Sequence, residues 1–252
     1  MKHILIVANW KSNPDSTHGA VSLARAVESA HARFRRVRVI VAPPFPFIES
    51  VRAVLKSVHV AAQDVFWDKG PFTGEVSPHQ LKSLGVRYVI IGHSERRMYG
   101  GETDDRIQKK LAAALAKGIS PIVCVGERER NGKDIPALVG DQIRKALSGI
   151  PARLVSRVII AYEPVWAIST NSGATPDTPE NAFRAKMYIR RVLTDIAGQK
   201  KARGIPILYG GSVSPANITS FLQDGEMDGA LVGGASIDPK QFSDILRIVS
   251  RL

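Results

Sequence analysis

Cysteine is almost missing from this 252-residue chain: Cys124 stands alone. That excludes an intramolecular disulfide and a cysteine-rich zinc site, and it fits a reducing compartment. Long apolar runs are missing too. The stretch Met1-Lys2-His3-Ile4-Leu5-Ile6-Val7-Ala8-Asn9 holds five consecutive apolar residues, too few for the apolar region of a signal peptide or for a membrane span. It reads as a first strand, and a cytoplasmic protein with no membrane partner is expected. No Pro/Gly/Ser linker or low-complexity segment interrupts the chain. With 44% hydrophobic residues, one folded domain over residues 1–252 is expected rather than disorder.

What is present is a repeat of short β-branched apolar runs, each bounded by turn residues and followed by a segment of helical spacing. This is the pattern of successive parallel βα units. Eight strands are predicted: Ile4 to Ala8, Val37 to Ala42, Val58 to Ala62, Tyr88 to Gly92, Pro121 to Val125, Val158 to Tyr162, Pro206 to Tyr209 and Gly229 to Val232. Between them a helix is predicted over Asp105 to Lys117, with Ile107, Leu111, Ala114 and Leu115 on one apolar stripe and Gly118 ending it. Another is predicted from Pro179, after Thr178, to Ala197. An α/β fold, one closed eightfold (β/α) barrel of parallel strands, accounts for this most simply; an open doubly wound sheet is the alternative.

The formal charge is +12 and the isoelectric point near 10.0, which suits a phosphate-bearing partner, either a nucleic acid or a small anionic metabolite. The densest basic knots, Arg33-Phe34-Arg35-Arg36-Val37-Arg38 and Lys200-Lys201-Ala202-Arg203, fall between a predicted helix and the next strand. On a barrel that is the face opposite the active site, so a solvated rim is expected there, with no nucleic-acid partner.

On a barrel, chemistry gathers where the strands end. The unusual residues do fall there: Asn9-Trp10-Lys11, His93-Ser94-Glu95-Arg96, Glu163-Pro164-Val165-Trp166, Gly210-Gly211-Ser212-Val213 and Gly233-Gly234-Ala235-Ser236. A strand-end glutamate taken alone is as a rule solvated, a lone histidine structural, and a Gly-Gly pair a tight turn. Five such blocks in order are more specific. Over essentially the whole chain the sequence resembles the triosephosphate isomerase family, whose members interconvert dihydroxyacetone phosphate and glyceraldehyde 3-phosphate.

The resemblance implies the following roles. Glu163 is the base, a carboxylate that a closing loop dries, raising its basicity. His93, at a helical first turn with Ser94 near the cap, is a neutral electrophile aimed at a carbonyl oxygen. Lys11 and Asn9 serve the oxyanion, with Glu95 tethering Lys11. Backbone amides at Ser169, Ser212, Gly233 and Gly234 take the phosphate, and Ile168 and Leu231 form an apolar clamp over the base. No metal or other cofactor is expected. The loop 66–75, with three aromatics, resembles the segment by which members of the family plug into a second subunit, Thr73 approaching the partner's catalytic lysine; a homodimer is expected.

The sequence departs from the family pattern at two places. Ser12 replaces a usual methionine, a change expected to affect packing more than chemistry. Ser169-Thr170-Asn171-Ser172-Gly173-Ala174 replaces a glycine-rich Gly-Thr-Gly-Lys lid, while the hinge Pro164-Val165-Trp166 is retained. Lost glycine at a positive-φ position costs about 1 kcal/mol, so slower or less complete closure is expected. Two rivals remain open at this point. One is another phosphosugar isomerase or epimerase on the same barrel; the other is a basic barrel that keeps the fold and a phosphate site and binds anions or nucleic acid without turnover.

Overall fold

The computed structural model describes residues 4–130, 132–168 and 175–252. Eight strands close into an all-parallel barrel in sequence order, with the last paired to the first. They are β1 Leu5–Asn9, β2 Arg38–Ala42, β3 His59–Ala62, β4 Tyr88–Ile91, β5 Ser120–Val125, β6 Ile159–Tyr162, β7 Ile207–Tyr209 and β8 Gly229–Val232. Around them lie α1 Thr17–Arg33, α2 Ile48–Val54, α3 Pro78–Ser83, α4 Ser94–Tyr99, α5 Asp104–Ala116, α6 Ala137–Leu147, α7 Ala152–Val155, α8 Pro179–Ala197, α9 Gln199–Gly204, α10 Ile218–Gln223 and α11 Pro239–Val249. The eight predicted strands lie within a residue of these at either end, and the closed topology disposes of the open-sheet alternative.

Side-chain alternation decides what reaches the mouth. Leu5, Val7, Ile40, Ile90, Ile122, Cys124, Ile159, Ala161, Leu208 and Leu231 fill the barrel interior, while Ile6, Ala8, Val39, Val41 and Val123 face the helices. Continuing the inward parity past the last turn of each strand brings Asn9 after Val7, Glu163 after Ala161, and Gly126 after Cys124. The functional blocks are therefore the next steps of a core pattern that has run out of core.

The outer layer follows from amphipathic helices. In α5 the predicted stripe of Ile107, Leu111, Ala114 and Leu115 is buried, each large member contributing about 1.5–3 kcal/mol. Thr103 caps its start, accepting from Arg106 N, and Gly118 at φ 76° ends it. Sequence spacing did not reveal that Lys110, on the same face, is buried as well, between Asp64 and Glu102. In α8 the predicted bounds hold, with Thr178 accepting from Asn181 N. Among the described residues no helix is long and apolar enough to cross a membrane.

Candidate active site

Glu163 follows β6 and is buried. Its Oε2 accepts from Ser94 N at 2.9 Å, and its Oε1 lies 3.1 Å from His93 Nε2. Glycines make room for it. A Cβ on Gly126 would stand 1.8 Å from Glu163 O, and one on Gly210 would stand 2.9 Å from Glu163 Cγ. Strands β5 and β7 are thus each followed by glycine, Gly126 and Gly210, where the carboxylate-bearing turn passes between them.

His93 is itself the N-cap of α4, a correction to the expected cap at Ser94. Its side chain accepts from Glu95 N at 3.3 Å through Nδ1. An amide N–H directed at Nδ1 requires a lone pair there, which leaves the ring proton on Nε2, the nitrogen facing Glu163.

Lys11 sits at φ 52°, a left-handed conformation that an L-residue adopts at a cost of about 1–2 kcal/mol. Three contacts hold it. Its N–H donates to Asn9 Oδ1 at 3.1 Å, its carbonyl accepts from Gln63 Nε2 at 2.7 Å, and its Nζ pairs with Glu95 Oε1 at 2.6 Å. Because Asn9 Oδ1 is engaged, its donor end Nδ2 is the part available to an oxygen in the mouth. Lys11 and Glu95 are thus in contact, the pair the resemblance implies; Gln63, which also binds Ala42 O at 2.8 Å, was not anticipated.

Asn9, Lys11, His93, Ile168, Ser212 and Gly233 line one cavity, together with Gly234 and Leu231. Gly234–Ser236 forms a single tight turn, whose first amides lack partners within it, as anion-binding turns require. A Cβ on Gly233 would lie 3.4 Å from Lys11 Cε, and one on Gly211 would meet Tyr209 OH at 2.3 Å. A second cavity opens on the other flank of Glu163, lined by Arg97, Cys124, Glu127 and Gln142. Burial and the neighbouring Glu163 charge push the Cys124 thiol well above the usual range.

The hinge after β6 is tied to the end of β5 by a network that sequence reasoning passed over. Glu127 Oε1 accepts from Trp166 Nε1 and Tyr162 OH, both at 2.9 Å, and from Arg130 Nη2 at 2.8 Å. Arg130 also lies over the Trp166 ring at 5.6 Å. Burial and the Glu127 charge raise the Tyr162 phenol far above its ordinary value. The available signal was Gly126-Glu127 directly after a predicted strand, the same position as the blocks that were recognised. Ser212 Oγ donates to Ala167 O at 3.0 Å, and Thr175 N to Trp166 O at 3.1 Å. Ser169 and the rest of the altered lid to Ala174 lie outside the described residues. Ser12 is exposed, so its departure alters no packing within this chain.

A dry carboxylate facing an imidazole N–H, beside a cavity lined by an ammonium and glycine turns at the carboxyl ends of a closed β/α barrel, suits an enzyme that moves protons on a small anionic substrate. Comparison with known proteins narrows this. A family model described as triosephosphate isomerase matches residues 4–249. A relative of that name from Caldanaerobacter subterraneus subsp. tengcongensis is 41% identical over 98% of this chain and 99% of its own. One from Dehalococcoides mccartyi is 42% identical over 98% and 96%. The chain belongs to the triosephosphate isomerase family.

Proposed function

We propose that Glu163 and His93 carry out the interconversion of dihydroxyacetone phosphate and D-glyceraldehyde 3-phosphate, a step of glycolysis and gluconeogenesis. The protein is an isomerase by family. The observation that carries the residue assignment is the 3.1 Å approach of His93 Nε2 to Glu163 Oε1 beside the Lys11 cavity. Glu163 takes a proton from the carbon next to the carbonyl. The electron pair moves to the carbonyl oxygen, giving an enediolate that His93 Nε2–H, Lys11 and Asn9 Nδ2 stabilise. The proton then returns to the neighbouring carbon while the hydroxyl proton passes from its own oxygen to the former carbonyl oxygen, which leaves the carbonyl on the carbon that was deprotonated. Ser94 N donates to Oε2 at 2.9 Å, a bond that the base gives up as it reaches the substrate carbon.

The amides of Ser169, Ser212, Gly233 and Gly234 receive the phosphate in this reading, and Ile168 and Leu231 close over the base. No step calls on a metal or an organic cofactor. An assay on both triose phosphates and on longer phosphosugars tests it: turnover of the trioses alone is expected. Equal turnover of a pentose or hexose phosphate would place the chain with other phosphosugar isomerases, and absence of turnover would leave an anion-binding barrel.

Residues 1–252 act in this reading as one cytoplasmic catalytic domain, and the functional unit is a homodimer. The loop 66–75 supports that assembly. It closes on itself through Phe66 N to Val76 O at 2.8 Å and stacks Phe66 on Trp67 at 3.9 Å, yet Phe72 remains 38% exposed. Met98 and Tyr99 of α4 are exposed too, Tyr99 at 80%, an apolar group that a second copy would cover. Sedimentation at micromolar concentration is expected to show the dimer; monomer alone would refute it.

A further inference from the structure

The barrel sorts its charge by face. Six of the connections that lead from helices back to strands, residues 31–38, 52–59, 82–88, 116–120, 148–158 and 198–206, hold fourteen Lys and Arg and no Asp or Glu. The strand-to-helix loops at the mouth, residues 10–16, 63–77, 92–103, 126–136, 163–178, 210–217 and 233–238, hold twelve Asp and Glu against seven Lys and Arg. An excess of positive charge thus lies on the face away from the site that takes the anionic substrate, although the seventh such connection, residues 224–228, holds three Asp and Glu and no Lys or Arg. Connection by connection the sequence reads as a solvated rim; the closed barrel puts the six on one contiguous surface.

Carboxylates are outnumbered on that face: the connection that enters β8, residues 224–228, holds Asp224, Glu226 and Asp228, and Glu28 accepts from Lys56 N at 3.1 Å and from Ser57 N at 3.0 Å. Arg38 and Arg87 are exposed at the starts of β2 and β4, strands whose neighbours lie about 4.8 Å apart. Arg157 Nη2 donates to Gly118 O at 2.7 Å. A Cβ on Gly118 would stand 3.8 Å from Lys82 Nζ and 3.9 Å from Arg157 Nη2, so cations from two connections meet at the turn before β5. Neither is paired with a carboxylate. Between β2 and β4, partial burial and the charges of Arg87 and Arg38 hold His59 below the ordinary histidine value.

We propose that this face binds the phosphate backbone of double-stranded nucleic acid, independently of sequence and without blocking the isomerase site. Crowded like charges that outnumber their carboxylates gain from a polyanion, which replaces mutual repulsion with attraction and releases counterions. Nine of the fourteen are arginine, whose fork fits phosphate oxygens. The exposed large apolar residues, Phe72, Met98, Tyr99, Leu138, Met187, Ile237 and Leu252, all lie outside the six connections. Among the described residues the six connections therefore offer no exposed large apolar side chain to wedge a bilayer, anchor a protein interface or stack unpaired bases.

Fluorescence anisotropy of a labelled random-sequence duplex of about 20 base pairs, titrated from about 50 to 200 mM salt, tests this. Binding that weakens steeply with salt is expected. In Arg35→Gln/Arg38→Gln/Arg87→Gln/Lys117→Gln the affinity is expected to drop at least about tenfold, with a salt slope shallower by about three to four. The turnover of triose phosphate by that variant should stay within twofold of the parent, which also reports that it folds. In the parent, acetylation footprinting should show Lys82, Lys117 and Lys200 protected by duplex and Lys11 and Lys69 unprotected. No binding at the lowest salt, an unchanged affinity in the variant, release of duplex by saturating triose phosphate, or equal retention by phosphatidylserine vesicles would each overturn the proposal.

Discussion

Trp166 donates its indole N–H to Glu127 Oε1 at 2.9 Å, fastening the hinge that follows β6 to the residue that ends the β5 turn. The same oxygen takes Tyr162 OH and the Arg130 guanidinium, and both charged side chains are nearly inaccessible, at 5% and 2%. Removing one member of a buried ion pair leaves the other uncompensated, at a cost of about 3–5 kcal/mol. Glu127→Ala is therefore expected to lower the unfolding free energy by about that amount, measured by urea titration, whereas Arg130→Met/Glu127→Leu together should lose much less. A single substitution as benign as the pair would show that the network is not holding the hinge.

Lys11 separates backbone strain from chemistry. Glycine accepts φ 52° without the steric cost that lysine bears, so Lys11→Gly is expected to unfold at the same or a higher temperature than the parent. Its turnover should nevertheless fall by about 10²–10³, the usual effect of losing one group that stabilises an oxyanion. Thermal scanning and steady-state kinetics on one preparation check both halves, and a variant that is active but unstable would reverse the assignment.

Gly126 has no room for a side chain, since its Cβ would overlap the Glu163 carbonyl. Gly126→Ala should displace the strand end that carries the base. A shift of about 1 Å in a reacting group costs on the order of 10²-fold in rate, so a drop in kcat of that size is expected with a smaller change in KM. Unchanged kcat would mean that the turn relaxes away from the carboxylate.

Asp177, where the chain enters α8, accepts from Thr178 N at 2.8 Å and from Tyr209 OH at 3.3 Å. Burial nevertheless raises its pKa above the ordinary 3.8. A raised carboxylate pKa means that the folded state holds the proton more tightly than the unfolded chain does. Stability is therefore lost as pH rises from about 3.8 to the raised value, and no further above it. Asp177→Asn should abolish that loss, so the difference in Tm between variant and parent is expected to move in the variant's favour as pH rises through this window. A difference that is flat with pH would contradict it.

The strands were legible as short β-branched runs between turn residues, and the residues proposed for the site, whose roles came from the resemblance, stand where a period of two carries the core pattern into the mouth: Val7 to Asn9, Ala161 to Glu163. Long-range partners were not legible. Gln63 reaches the Lys11 carbonyl across 52 positions of sequence, and Lys110 finds Asp64 and Glu102 only once α5 packs on the barrel. His93 capping its own helix escaped notice for another reason. Histidine is an uncommon N-cap, and Ser94 one position later has the side chain normally expected there.

The assignment of Glu163 as the base is tested most directly by Glu163→Asp, which keeps the charge and withdraws it by one methylene. Turnover of dihydroxyacetone phosphate is predicted to fall by about 10²-fold or more with KM changed by only a few-fold, since the misplaced carboxylate harms the proton-transfer transition state more than substrate binding. Turnover within a factor of about two of the parent would contradict the account.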